Sequence, residues 1–157
     1  MRKNDSLIIY DSIATYNLLE IADVKPLIRY KNMSKSYVIQ QAPFVVPTTD
    51  GKLIEEHVGR VISNEPGLSI AHMVAPSRWS EPFQTPEFDE YTMLVRGRKQ
   101  IEIDGETITL KVGESLLVRK GARVRYSNPF EEEAEYWSVC VPAFSPDLVN
   151  REENAES

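Results

Sequence analysis

Short runs of aliphatic and β-branched residues, separated by glycines at a constant interval, dominate the middle of the chain. The glycines stand eight residues apart, at Gly97, Gly105, Gly113 and Gly121. The apolar runs between and beside them cover residues 91–96, 100–103, 107–112 and 115–119. Short strands at this spacing, with turn residues between them, predict an antiparallel sandwich or barrel. Asp104-Gly105 is typical of a two-residue hairpin turn.

The stretch 81–128 also resembles the cupin family in the spacing of two motifs. Glu90 is followed after six residues by Gly97, as at the end of the first cupin motif. Gly113, Gly121 and Asn128 have the spacing of the second motif. The resemblance covers roughly residues 44–150. It implies an all-β fold, the cupin-like double-stranded β-barrel (an antiparallel jelly roll).

The residues that bind metal in this family are mostly replaced. Gln84 and Pro86, or with the longer spacing Phe83 and Thr85, stand where the first motif has two histidines. Val124 stands at the third histidine, and Arg119 replaces the proline of the second motif. The chain therefore looks closest to cupins without the His triad, such as the ethanolamine-utilisation type. We expect no cofactor; the alternative is a divalent metal ion held by His57, Glu87 and Glu90.

The chain divides into three segments by pattern. Residues 1–33 are predicted to form an N-terminal extension with a helix over 13–24, because apolar residues there follow helical spacing. Residues 34–150 form the barrel domain, and residues 151–157 a polar tail. A length of 157 residues suits one domain with a real core.

Charge, hydropathy and cysteine content limit the classes of partner and the compartment expected for this protein. A net charge of −6 disfavours nucleic acid, and no apolar run approaches the ~18 residues of a membrane span. The single cysteine, Cys140, and the lack of a signal-peptide pattern indicate a cytoplasmic protein. The proline-interrupted run 37–47 reads as an edge strand, which predicts a homodimer.

Alternation along the strands predicts the residues that line the barrel. If Glu90 points inward, as the resemblance implies, Thr92 shares its face, and Tyr126 lies on the inward face of the second motif. With Gln84 they give a few polar groups in an otherwise apolar wall, which is typical of a small-molecule site. An interior carboxylate needs a partner, so we expect Glu90 to hydrogen-bond His57 or Gln84. The predicted ligand-binding residues are Gln84, Glu87, Glu90, Tyr126, His57, Arg60 and Trp79. His72 lies in an apolar run and is interpreted as a core or interface residue.

Two hypotheses for the function follow. The first is a small-molecule-binding cupin that serves as a metal-independent binding or sensing module. The second is a small metabolic cupin enzyme (a lyase, an isomerase or a metal-dependent oxygenase) that uses Glu90 and His57 as catalytic residues. The missing histidines favour the first, since oxygenase cupins need the ion. Neither hypothesis identifies the ligand.

Overall fold

The computed structural model describes residues 36–152, and the helix expected at 13–24 lies outside this range. Ten strands and one 3₁₀ helix, Pro146–Leu148, occur among the described residues. No described helix is long and apolar enough to cross a membrane. The all-β expectation is confirmed.

The ten strands form two antiparallel sheets. They are β1 Phe44–Val45, β2 Leu53–Val58, β3 Ser69–Ala75, β4 Trp79–Ser80, β5 Asp89–Arg96, β6 Arg98–Ile103, β7 Glu106–Lys111, β8 Ser115–Val118, β9 Val124–Asn128 and β10 Ala134–Val141. One sheet has six strands in the order β1-β2-β3-β10-β5-β8, and the other has four in the order β4-β9-β6-β7. The two sheets are the two walls of the barrel expected from the sequence.

The inner faces of both sheets share one apolar core. The cluster of buried side chains takes members from β3 to β10, namely Ala75, Trp79, Leu94, Ile101, Leu110, Val118, Val124, Tyr126, Ala134 and Tyr136. Alternation is visible in the burial of β10, where Tyr136, Ser138 and Cys140 are buried and the residues between them are less so. Residues directly opposite on neighbouring strands share a face, so inward positions can be read across each sheet.

The glycine pattern corresponds to turns, as predicted. Asp104 and Gly105 both have positive φ, 48° and 91°, and they join β6 to β7 with Ile103 opposite Glu106. Two consecutive positive φ values are the requirement of a type I′ hairpin turn. This turn therefore fixes the register of the hairpin in the four-stranded sheet.

Two boundaries differ from the prediction. The edge strand expected over 37–47 shrinks to Phe44–Val45, because Pro43 and Pro47 flank it and proline cannot donate to a ladder. At the other end, the ordered barrel extends beyond residue 150. Arg151 forms a β-bridge with Gln84, and the backbone N–H of Glu152 donates to Phe83 O at 2.8 Å. The first two residues of the expected polar tail are thus part of the barrel.

Candidate functional site

Six of the buried charged or amide side chains form what we call the interior polar cluster. They are Lys52, Glu81, Gln84, Glu90, Lys99 and Arg151, each at most 10% exposed. Charged residues are rarely this buried unless they are paired or functional. The hydrogen-bond and ion-pair partners of each member therefore distinguish structural side chains from those available to a ligand.

Four members of the cluster form one connected network. Glu81 lies 3.7 Å from the Lys52 ammonium, accepts a hydrogen bond from Gln84 Nε2 at 3.2 Å and accepts one from Arg151 Nη2 at 3.4 Å. Arg151 Nε donates to Gln84 Oε1 at 3.3 Å. Lys52 also lies 4.1 Å from the ring centroid of Trp79. These contacts satisfy Glu81 with two cations and an amide.

Glu90 has a separate partner. Its Oε1 accepts a hydrogen bond from Ser138 Oγ at 2.6 Å, across the pairing of β5 with β10. The Glu90 carboxylate thus lies inside the barrel, as the alternation predicts. The expected hydrogen bond from His57 or Gln84 to Glu90 is wrong, because Gln84 donates to Glu81 instead.

Lys99 is the most deeply buried charged residue described, at 1% exposure. Its Nζ lies 3.3 Å from the ring centroid of Tyr136 and 4.4 Å from that of Tyr126. No hydrogen bond or ion pair of Lys99 is found among residues 36–152. Burial, followed by the charge of Lys52, lowers the pKa of Lys99 to about 7 against the opposing charges of Glu90 and Glu81.

Three buried hydroxyls lack a hydrogen-bond partner among the described atoms, those of Thr92, Tyr126 and Tyr136. Burial raises the pKa of both tyrosines well above the usual range. The charge of Glu90 adds to this effect at Tyr126, although no hydrogen bond of normal geometry joins the two groups. Both phenols therefore stay protonated at neutral pH and can donate a hydrogen bond.

The two histidines lie on the outer face of the six-stranded sheet. The rings of His57 and His72 flank Trp137, with centroid distances of 5.1 and 5.2 Å. His72 is held between two carboxylates, with Nδ1 2.8 Å from Glu55 and Nε2 3.0 Å from Glu135. Burial alone would lower the pKa of His72, but these hydrogen bonds outweigh it and raise the pKa.

This arrangement separates His57 from Glu90. The sheet lies between them, because Glu90 opposes the inward Cys140 on β10 whereas His57 stacks on the outward Trp137. The register shift between Glu56 and Val58 accompanies the outward position of His57. The predicted pairing of His57 with Glu90, for catalysis or metal binding, is therefore wrong in this fold.

The other predicted site residues have structural contacts. Trp79 is buried in the core and donates through Nε1 to Asp50 at 2.5 Å. Arg60 donates through Nε to the carbonyl of Ala143 at 3.5 Å. Glu87 accepts a hydrogen bond from Asn150 at 3.1 Å. Of these three residues, Trp79 alone also has a described contact with the interior polar cluster, through the Lys52 ammonium over its ring.

The residues at the usual cupin metal position do not fit a metal ion. Pro86 and Val124 offer no side-chain donor, and Gln84 already contacts Glu81 and Arg151. Within residues 36–152, no group of three or more His, Cys, Asp or Glu side chains is placed to hold a metal. A catalytic metal needs about three protein ligands, so we derive no step through a metal.

Lys52, Glu81, Lys99, Arg151 and Tyr136 were not predicted as site residues. The sequence pattern could have indicated the two lysines, because strand alternation places Lys99 on the same face as Ile101 and Lys52 on the same face as Ile54. For Arg151 no local pattern was available, since its partners Gln84 and Glu81 are distant in the sequence. Cys140 is buried beside Ser138, and burial raises its thiol pKa, which agrees with an inert thiol.

A comparison with protein families finds the cupin domain over residues 71–142. Among curated proteins, the chain is 44% identical over 108 residues to a protein named endoribonuclease YbeY from Myxococcus xanthus. The match covers 69% of this chain but only 37% of that protein. The activity in the name is therefore stated of that longer protein alone.

Solved structures with the same fold are distant in sequence. A putative ethanolamine utilization protein Q from Salmonella typhimurium has a TM-score of 0.51 and 19% identity, over 59% of this chain and 71% of that chain. A variant of Streptomyces PAC13 with uridine has a TM-score of 0.60 and 13% identity, over 77% and 93%. These identities show the fold alone. The match to the cupin domain lies within the two-sheet barrel, so residues 71–142 form a cupin domain.

Proposed function

We propose that the barrel binds a small polar molecule without a metal ion and serves as a binding or sensing module. The observation that carries this proposal is the set of three buried hydroxyls without partners beside an unpaired buried amine. Buried polar groups that lack hydrogen bonds cost free energy, and native proteins rarely keep them without a reason. A polar ligand bound among them would supply the missing partners.

The charges of the interior polar cluster favour a ligand with anionic or electron-rich oxygen atoms. In this cluster Lys52 lies 3.7 Å from Glu81, and Lys99 forms no ion pair among the described residues. Tyr126 and Tyr136 add two phenolic donors, which burial keeps protonated. A small carboxylate or carbonyl compound matches this surplus of donors.

One of the solved structures supports the class of ligand that we propose. The PAC13 variant of similar fold is described with uridine, a small polar molecule. A barrel of this shape can therefore hold such a ligand in another protein, and we extend only the class of ligand to this chain.

The replacement Glu90→Gln should strengthen the binding of a small carboxylate and leave the fold intact. Glutamine keeps the size of the side chain and its contact with Ser138, but it removes a charge from the cluster. Removal of a like charge beside an anionic ligand is worth about 1–3 kcal/mol, which corresponds to a Kd roughly five- to a hundredfold lower. A thermal-shift screen of small carboxylates and carbonyl compounds would supply the ligand, and calorimetry would measure both Kd values.

Glu102→Gln is the matched control. Glu102 lies on the outer side of β6, where it pairs with Arg125. Ligand binding by this variant should equal that of the wild type. Equal affinities of Glu90→Gln and the wild type would contradict the proposal. Stoichiometric iron, manganese or zinc in protein purified without added metal would instead support a metalloenzyme.

We also propose that the protein is cytoplasmic and homodimeric. Its single cysteine is buried and free, which agrees with a reducing compartment. For the dimer, the support is the edge of the six-stranded sheet. Val38, Ile39 and Val45 lie there or just before it, and they are 74%, 73% and 54% exposed. An apolar edge of this kind is normally covered by a partner.

Light scattering at micromolar concentration should therefore give the mass of a dimer, and Ile39→Asp should give a monomer. A charge at a buried apolar interface typically costs several kcal/mol. Met93→Asp is the comparison, because Met93 is 40% exposed on the outer face of β5, away from the edge. A wild-type monomer would contradict the proposal, and so would a dimer that only Met93→Asp dissociates.

A further inference from the structure

We propose that Lys99 is a nucleophilic amine that forms a reversible imine with the carbonyl carbon of a small aldehyde or ketone held in the barrel. This inference rests on the proposed function of the barrel as a small-molecule site, and it names the substrate class.

The position of Lys99 favours chemistry over a structural role. A lysine buried for structural reasons is usually paired with a carboxylate. Here the two carboxylates of the interior polar cluster have other partners: Glu81 contacts Lys52 and Arg151, and Glu90 contacts Ser138. Lys99 instead rests on the faces of Tyr136 and Tyr126. The amine is thus left unpaired in the barrel interior.

Its surroundings also supply the neutral form that a nucleophile requires. The groups that face Lys99 are Lys52 next to β2, Glu81 after β4, Glu90 on β5, Tyr126 on β9 and Tyr136 on β10. Burial and the charge of Lys52 lower the pKa of Lys99 from 10.5 to about 7. At pH 7 the neutral fraction is on the order of a thousandfold larger than for an exposed lysine. Desolvation and a neighbouring cation are the means by which enzymes activate imine-forming lysines.

The chemical step balances without an oxidant or cofactor. The lone pair of Lys99 Nζ forms a bond to the carbonyl carbon, and the C=O π electrons move to oxygen to give a carbinolamine. The C–O bond then breaks, and both amine protons leave with that oxygen as one water molecule. The product is an imine. The partnerless hydroxyls of Tyr126, Tyr136 and Thr92 are the donors available to the carbonyl oxygen and to the departing water.

The cluster also favours a carboxylate on the same ligand. The Lys52 ammonium is 3.7 Å from Glu81, beyond hydrogen-bonding distance, so a second cation that can accept an anionic partner lies in the same interior as Lys99. A 2-oxo acid combines the two groups that this arrangement matches, a carbonyl carbon for the amine and a carboxylate for the cations. We therefore expect small 2-oxo acids to react better than neutral aldehydes of similar size.

The test is reductive trapping at pH 7 with cyanoborohydride and three probes: glyoxylate, pyruvate and glycolaldehyde. Peptide mass spectrometry of the wild type should locate the adduct on Lys99, at a level roughly tenfold or more above the exposed Lys111. Lys99→Met should lose this adduct, and Lys111→Met should retain it. Should Lys99→Met fail to fold, the peptide map of the wild type still decides the question.

Modification of exposed lysines with none at Lys99, for all three probes, would overturn the inference. Lactate separates this failure from failure of the proposed function, because it has the size and charge of pyruvate without the carbonyl. A melting temperature raised by both lactate and pyruvate, without an adduct, would refute the imine and retain the binding site. An adduct at Lys99 that excess lactate suppresses severalfold would support both.

Discussion

Replacement of Gly97 by alanine is expected to lower the free energy of unfolding by about 3–5 kcal/mol. Gly97 has a φ of +76°, which alanine adopts only with strain. An added Cβ would also clash with the carbonyl oxygen of Glu133 and lie 3.3 Å from the Cα of Ala134. Both obstacles are backbone atoms at the start of β10, so neither can move without a shift of the sheet. The midpoint of urea unfolding measures the loss.

Gly105→Ala is the matched control, since it separates the dihedral strain from the clash. Gly105 has a comparable φ of +91°, but an added Cβ would meet nothing within 4 Å. This variant should lose only the strain of the left-handed conformation, about 1–2 kcal/mol. Equal losses in the two variants would show that the approach of Gly97 to β10 contributes no stability.

This pair of glycines shows how far local sequence determines the fold. The eight-residue spacing was enough to place four turns, and Asp104-Gly105 was enough to identify a hairpin. Both signals are local, because each depends on dihedral preferences of one or two residues. The difference between Gly97 and Gly105 depends on Glu133, which is remote in the sequence. No local pattern contains that contact.

The same distinction applies to the site. Glu90 and Tyr126 lie inside the barrel as alternation predicts, and their roles in binding stay predictions. Lys99 obeys the same alternation, yet a lysine is expected outside because desolvation of its charge is costly. His57 was expected near Glu90 from its polar neighbours in the sequence. Its position on the outer face accompanies an irregularity in β2 that the sequence does not reveal.

Lys99→Met should stabilise the protein at pH 6, and the gain should shrink as the pH rises. The pKa of Lys99 is about 7 when folded and 10.5 for an ordinary lysine. Between these values the unfolded chain binds more protons than the folded one, so the stability of the wild type rises with pH. Below pH 7 both states are protonated and the full burial penalty, on the order of 5 kcal/mol, is present. The difference in unfolding free energy between Lys99→Met and the wild type should therefore shrink by roughly 3 kcal/mol from pH 6 to pH 9.5.

Urea unfolding of both proteins across this pH range measures the difference directly. Other titrating groups are common to both proteins and largely cancel; Tyr126 and Tyr136 in particular have pKa values raised well above 10. Lys111→Met, a replacement of an exposed lysine on β7, should show no such pH dependence. A constant difference between the wild type and Lys99→Met from pH 6 to 9.5 would mean that Lys99 titrates like an exposed lysine. A reduced difference when pyruvate is present would connect the unpaired amine to its ligand, because a bound partner stabilises only the folded wild type.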